Sequence, residues 1–420
     1  MFQSARNAYM RFFRLNVLDA AFLKVLAMHF FLLFYGSLQG AYVSTLVVRA
    51  TNDPNAILRM HMLLFLLDGT LTFLAVFFIR RFSSVLSLKL GLAAYAAVCL
   101  SIVFFGERFA ANYYLISLLV AAGNGFYYLA YNIIFMQLNR NENQDVGIGF
   151  MNFMNGAIIL TIPQICGLII SFAGVVTGYK IVFGFGFCML AAGIFFASRI
   201  KKLPPNDRRT GYRAVFKYCF VDGIMRRFMA IEFVKGLREG VFAFFLSLLI
   251  FTIIKSEALI GFNQLLTGVS MAVGSWLYAR FVRPSNRIRY MIVSFSAMLT
   301  VSLILFASLS PATLILVNFC STLFGLFFIN PMISALFASA NAMENAEGRK
   351  PELLGVRQLV VAAARFSGVF FAFVMPRSQM GSVLIVVGLT ATQFISLILI
   401  RRVAKITANR EAAKSVCESC

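Results

Sequence analysis

"SRIKKLPPNDRRTGYRAVFKYCFVDGIMRRF", residues 198–228, is the longest polar interval in an otherwise apolar chain. It holds nine lysines and arginines, two acids and a Pro-Pro pair that ends a helix. On each side lie six apolar runs long enough to cross a bilayer as helices. The predicted spans are 18–48, 58–79, 86–105, 110–138, 147–172 and 178–198 before it, then 228–254, 258–279, 288–307, 311–340, 353–375 and 379–400 after it. This pattern predicts an all-α polytopic membrane protein of twelve transmembrane helices in two six-helix bundles. Residues 1–198 form the first bundle, 199–227 a basic cytoplasmic linker, 228–400 the second bundle and 401–420 a cytoplasmic tail.

Composition agrees with that division. Of 420 residues, 60% are hydrophobic and 13% charged, and the mean hydropathy of +0.84 excludes a soluble domain. Lysine and arginine outnumber acids 38 to 16, a net charge of +22 that in a soluble chain would suggest nucleic acid. With the N-terminus inside, 28 of the 38 fall in cytoplasmic segments, and only Arg49, Arg59, Arg108, Lys180, Lys255 and Arg377 fall outside. That asymmetry predicts both termini in the cytoplasm of a multi-pass protein of the cell membrane, the inner membrane in a bacterium. The basic surface then faces anionic lipid headgroups, and nucleic acid is not expected because no base-stacking motif accompanies the charge. The first apolar run is too long for a cleavable signal, and Arg6, Arg11 and Arg14 read as an interfacial lead-in.

Metal, cofactor and enzymatic chemistry find no support in the sequence. Cys417 and Cys420 have dithiol spacing but no second pair or nearby histidine. Only His29 and His61 are present, without an HExxH pattern or a Ser/His/Asp grouping.

The halves share a repeat. "YGSLQGAYVSTL" (35–46) aligns without a gap on "KGLREGVFAFFL" (235–246), matching Gly36 to Gly236, Gly40 to Gly240 and Gln39 to Glu239. A second echo sets Asn132 of "LAYNII" beside Asn330 of "FFINPMI". The GxxxG pairs in both copies predict close helix packing.

A charge at the bilayer centre costs about 2.5–3.5 kcal/mol on insertion scales, so such residues face a partner or a water-filled cavity. Six qualify: Asp68, Glu232, Lys235, Arg238, Glu239 and Arg365. Glu232, Lys235 and Glu239 stand at i, i+3 and i+7 on one helical face, which makes Lys235 and Glu232 charge partners within the helix. Arg238 points off that face, toward a substrate or an acid such as Asp68. Arg365, in "VVAAARFSGVFF", has no acid within a turn and needs either another span or an anionic ligand. Ion pairs that latch the bundles, or snorkelling of Glu232 and Lys235 to the surface, are the structural alternatives.

Six plus six spans, cytoplasmic termini, a basic central loop and repeated first helices together resemble the major facilitator superfamily over the whole chain. "GNGFYYLAYNIIF" (123–135), "TGYKIVF" (177–183) and "GLREGVFAFF" (236–245) resemble a bacterial branch of it whose members mostly lack an assigned substrate. The resemblance implies alternating access, two bundles rocking around a central site. The chain departs from the family in two places. "IRRFSSVLSLKLG" (79–91) keeps Arg80 and Arg81 but lacks the usual acid and glycine of the loop between spans 2 and 3. "NGAIILTIPQICG" (155–167) has Gly156, Pro163 and Gly167 of the exporter pattern, with Ile162 where a glycine is usual.

The expectation is a monomeric secondary transporter of a small organic solute, amphiphilic or anionic, coupled to protons, with export favoured. Arg238 and Arg365 would bind the anion, with Gln39, Asn132, Asn330, Tyr128 and Tyr131 around the remainder, and Asp68 or Glu239 would carry the proton. A flippase for a lipid-linked substrate, a cationic drug exporter, sodium coupling and a non-transport scaffold or receptor stay open.

Overall fold

The computed structural model describes residues 20–53, 55–138, 144–200, 211–242, 245–246, 249, 257–341, 346–375 and 378–419, and these form helices and short turns. In lipid every backbone N–H and C=O must be bonded within its own segment, and long apolar runs therefore fold as helices. The first half contains α1 (Ala20–Leu38), a π-helical turn (Gln39–Val43), α2 (Ser44–Thr51), α3 (Asn55–Arg81), α4 (Ser84–Phe105), α5 (Glu107–Ala111), α6 (Tyr113–Leu138), α7 (Gln144–Ala173) and α8 (Val175–Ala197). The second half contains α9 (Tyr212–Val221), α10 (Gly223–Phe242), α11 (Glu257–Phe281), α12 (Arg287–Ala307), α13 (Pro311–Asn341), α14 (Ala346–Val374) and α15 (Gln379–Ser419). The connections are tight. Ser83 caps α4 by accepting from the Leu86 amide at 3.1 Å, and Gly106 and Gly174 turn the chain at φ of +54° and +77°, where a side chain would strain the backbone.

Ten helices among the described residues are long and apolar enough to cross a membrane. The expected spans 7 and 8 are not among them. Span 7 carries four charges along α10, and most of residues 243–256 lie outside the described residues. Span 8 is α11, whose Asn263 and Thr267 are partners of Asn318 on α13, at 3.0 and 2.9 Å. The linker contains the helix α9, and α15 continues through the expected tail to Ser419. The lead-in arginines, Cys420 and the Pro-Pro pair of the linker lie outside the described residues.

The packing pairs repeat with an offset of six spans. In the first half α1 packs on α7 and α8, α4 on α6 and α8, and α3 on α6. In the second half α10 packs on α14 and α15, α12 on α13 and α15, and α11 on α13. Two seams join the halves, α3 against α14 and α7 against α11. Small residues set their spacing: a methyl group added at Gly69, Gly149, Gly156 or Gly268 would come within 2.5–2.9 Å of Ala362, Ala279, Ala272 or Leu160. These contacts run from the middle of the helices toward the ends bearing the 82–83 and 282–286 connections. Large apolar side chains such as Phe104, Phe172, Phe195 and Phe306 are exposed, as a lipid-facing surface requires.

Candidate functional site

The polar centre of the molecule is built where α3, α6, α10 and α14 meet. On α14, Gln358, Ala362 and Arg365 stand at i, i+4 and i+7 and so share one face. Ala362 packs on Gly69 of α3, which sets Gln358 and Arg365 against α3 on either side. Gln358 Nε2 donates to Asp68 Oδ2 at 2.7 Å, and the Arg365 guanidinium lies over the Phe65 ring, 5.8 Å from its centroid. Asp68 is buried, and its Oδ1 has no hydrogen-bond partner among the described residues.

From the other side α10 approaches α14 as closely as backbone allows. A methyl at Gly240 would fall 2.7 Å from the Arg365 Cα, and one at Gly236 2.7 Å from the Ala364 Cβ. This proximity brings Arg365 Nη2 within 3.0 Å of Glu239 Oε2, with the two side chains 29% and 25% exposed. One turn away Lys235 donates to both carboxylate oxygens of Glu232 at 2.9 Å, and Arg357 of α14 reaches the same carboxylate at 2.8 Å. Glu232 and Lys235 are thereby enclosed, and the snorkelling alternative does not hold.

Two further expectations are corrected. Arg238 does not meet Asp68: its guanidinium lies 4.1 Å over the Phe242 ring, while Nε and Nη2 have no hydrogen-bond partner among the described residues. Among the described residues the paired GxxxG motifs do not behave alike: Gly36 and Gly40 have nothing within 4 Å of an added methyl group. The chain there forms the π-helical turn Gln39–Val43.

The "GNGFYYLAYNIIF" segment supplies the aromatic wall. Gly123 leaves room for the Tyr95 ring, and Gly125 lets α6 touch the α3 backbone at Leu71 and Thr72. Tyr95 Oη then donates to Asn124 Oδ1 at 2.6 Å. Tyr128 is enclosed by the bundle yet 41% exposed, within electrostatic range of Arg365 and Asp68. Tyr131 is buried behind it, stacked at 4.2 Å on His29, whose Nδ1 shares a 2.8 Å hydrogen bond with Tyr127 Oη.

Asp68, Glu239, Arg365 and Tyr128 are thus brought together. Asn330 lies on the α7 side of the molecule, where its Oδ1 accepts from Asn152 at 3.2 Å. Asn132 and Gln39 are half-buried. Sequence reasoning missed Gln358, Arg357, Glu352 and His29. Gln358 had a readable signal in its seven-residue spacing from Arg365, and Arg357 was counted among the cytoplasmic bases. Glu352 pairs with Arg80 across the α3–α14 seam and is buried there, so the acid absent from the loop between spans 2 and 3 is supplied by α14.

No family model matches the chain. A curated relative, the uncharacterized protein YqgE of Bacillus subtilis strain 168, is 23% identical over 310 residues, 74% of this chain and 70% of that protein. An uncharacterized protein from the sodM 3' region of Geobacillus stearothermophilus is 28% identical over 156 residues, 35% of this chain and 69% of that one. Among solved structures, a bacterial homologue of the iron transporter ferroportin in its outward-facing state matches with a TM-score of 0.72 at 14% identity, covering 92% of this chain and all (100%) of that one. The human organic anion transporter MFSD10 matches at 0.67 and 15% identity, covering 90% and 98%. The major facilitator superfamily transporter FucP in its outward conformation matches at 0.67 and 14% identity, covering 92% and 99%. The protein has the fold of the major facilitator superfamily transporters.

Proposed function

We propose that this protein is a secondary active transporter that moves a small organic solute, amphiphilic or anionic, across the cell membrane by alternating access and couples that movement to protons. The observation that carries the reading is the Glu239–Arg365 pair, joined at 3.0 Å between two helices of the second half and facing Asp68 and Tyr128 of the first. Charges are costly at that depth, and a pair left partly exposed is placed to exchange its partner for a ligand. A solute anion would compete with Glu239 for Arg365, and a proton on Glu239 would release the guanidinium to it. Asp68 is the second proton carrier, since its unpartnered Oδ1 can take a proton without losing a hydrogen bond. Arg238, with two unpartnered donor nitrogens, is the second seat for negative charge. Tyr128, Tyr131, Gln39, Asn132 and Asn330 would border the rest of the solute.

With both seams closed toward the ends we place in the cytoplasm, this arrangement would be the outward-facing state, and rocking to the inward state would part Arg80 from Glu352. The Gly156–Pro163–Gly167 pattern favours export. The likeness to an organic anion transporter and to a fucose:proton symporter supports an organic solute and proton coupling. We place both termini in the cytoplasm of a bacterial inner membrane, divide a monomer at the basic linker 199–227 into bundles 1–198 and 228–400, place anionic lipid headgroups along its cytoplasmic face, and assign it no enzymatic step or nucleic-acid partner.

Thermal stabilisation of the purified protein against panels of anionic and cationic amphiphiles tests this, in wild type and Arg365→Gln. A ligand at about 100 times its Kd stabilises by roughly 2.7 kcal/mol. Stabilisation by anions in wild type alone is the expected result. Cations acting equally on both proteins would replace the reading with a cationic exporter.

A further inference from the structure

Helix α9 has two faces. The inner one is set by Val215 and Cys219, both buried, and by Tyr212, whose ring stacks on Phe73 of α3 at 4.1 Å while its hydroxyl donates to the Phe73 carbonyl at 3.0 Å. Tyr212 also lies against Gly355 of α14, one turn from Glu352, and within range of the Arg80 and Glu352 charges. The helix therefore bridges the outside of the α3–α14 seam beside its ion pair. Asp222 fixes the junction with α10 by accepting from the Ile224 and Met225 amides at 2.9 and 3.0 Å, so α9 is held at the membrane end of that span.

The other face meets no partner among the described residues. Phe216 and Phe220 are exposed and stacked on one another at 5.3 Å. Beside them Arg213 and Lys217, also four residues apart, form an exposed basic stripe, and α9 contains no acid. Phe77 of α3, exposed and 5.3 Å from the Tyr212 ring, continues the apolar patch onto the spanning helices. Aromatic and basic stripes side by side on one short helix suit a position in the plane of a bilayer surface, rings among the upper acyl chains and cations at the headgroups. The charge of the stripe selects an anionic surface.

We propose that the outer face of α9 docks on the anionic surface of the bilayer, and that this docking holds Tyr212 against the α3–α14 seam. The lipid surface is then a regulator of the seam, acting apart from the central cavity.

The native Cys219 reports on it. In the docked helix the thiol is buried, and burial pushes it up to about 12, leaving little thiolate for a maleimide. The full chain with Cys219 as its sole cysteine would be reconstituted in vesicles of phosphatidylcholine alone, or of equal parts phosphatidylcholine and phosphatidylglycerol, and labelled with a maleimide. Labelling is expected to be about fivefold slower in the anionic vesicles for each of the two cations, about 25-fold for both. Arg213→Gln/Lys217→Gln should remove the difference and Arg213→Lys should keep it. Equal rates in the two vesicles would overturn the docking. A lipid dependence that survives the double substitution would overturn its assignment to α9.

Discussion

Arg365 is a cation near the middle of a spanning helix, and its acid comes from another helix. Glu239 holds it at 3.0 Å, Asp68 lies within range, and Phe65 presents its ring face. Removing one partner leaves the other charge stranded, whereas removing both spares that cost. Glu239→Gln should therefore lower stability more than Glu239→Gln/Arg365→Gln, with a coupling energy of about 1–3 kcal/mol. Reversible unfolding in mixed micelles of the two single variants and the double variant checks this, and additive losses would show that the pair is not a unit. Arg238 is the contrasting residue: its guanidinium lies over the Phe242 ring, and the neighbouring Glu239 acts on it through space, with no hydrogen bond to its Nε or Nη2 among the described residues.

At the scale of elements, the two copies of the repeat use the same glycines differently. Gly240 is where α10 touches α14, with the Arg365 Cα and carbonyl each 2.7 Å from an added methyl group. Gly240→Ala must therefore push the helices apart and should cost about 1–3 kcal/mol. Gly40, its counterpart in α1's continuation, meets none of the described residues within 4 Å. Gly40→Ala should stay within about 0.5 kcal/mol of wild type, or gain slightly from a less flexible unfolded chain. The same unfolding assay distinguishes them, and equal losses would mean that both copies pack.

The whole molecule is organised by its seams. α3 with α14, and α7 with α11, close one end of the bundle, and the Arg80–Glu352 pair latches the first seam there. Glu352→Gln removes the latch charge and should shift the population toward the state open at that end. A cysteine at Ala279, against Gly149 in the other seam, reads the opening in a background without the native cysteines. Its reaction with a soluble maleimide should rise about tenfold, the change that roughly 1.4 kcal/mol of latch energy produces. An unchanged rate would make the pair a passive contact.

The order of apolar runs, the break at 198–228 and the distribution of lysine and arginine were sufficient to read the all-helical membrane class and its six-plus-six plan. Bilayer thickness and backbone hydrogen bonding leave few other solutions for runs of that length. The six intramembrane charges were legible for a similar reason, since each is anomalous in its own apolar surroundings. Their partners were not. That Glu239 reaches Arg365, that Gln358 takes Asp68, and that Glu352 answers Arg80 depend on how closely helices approach. Gly236, Gly240 and Gly69 set that approach only together with the residue opposite. The same limit hid the difference between the two GxxxG copies: the same glycine spacing packs in α10 and meets no described residue near Gly40, because close contact is a property of two surfaces and a sequence motif describes one.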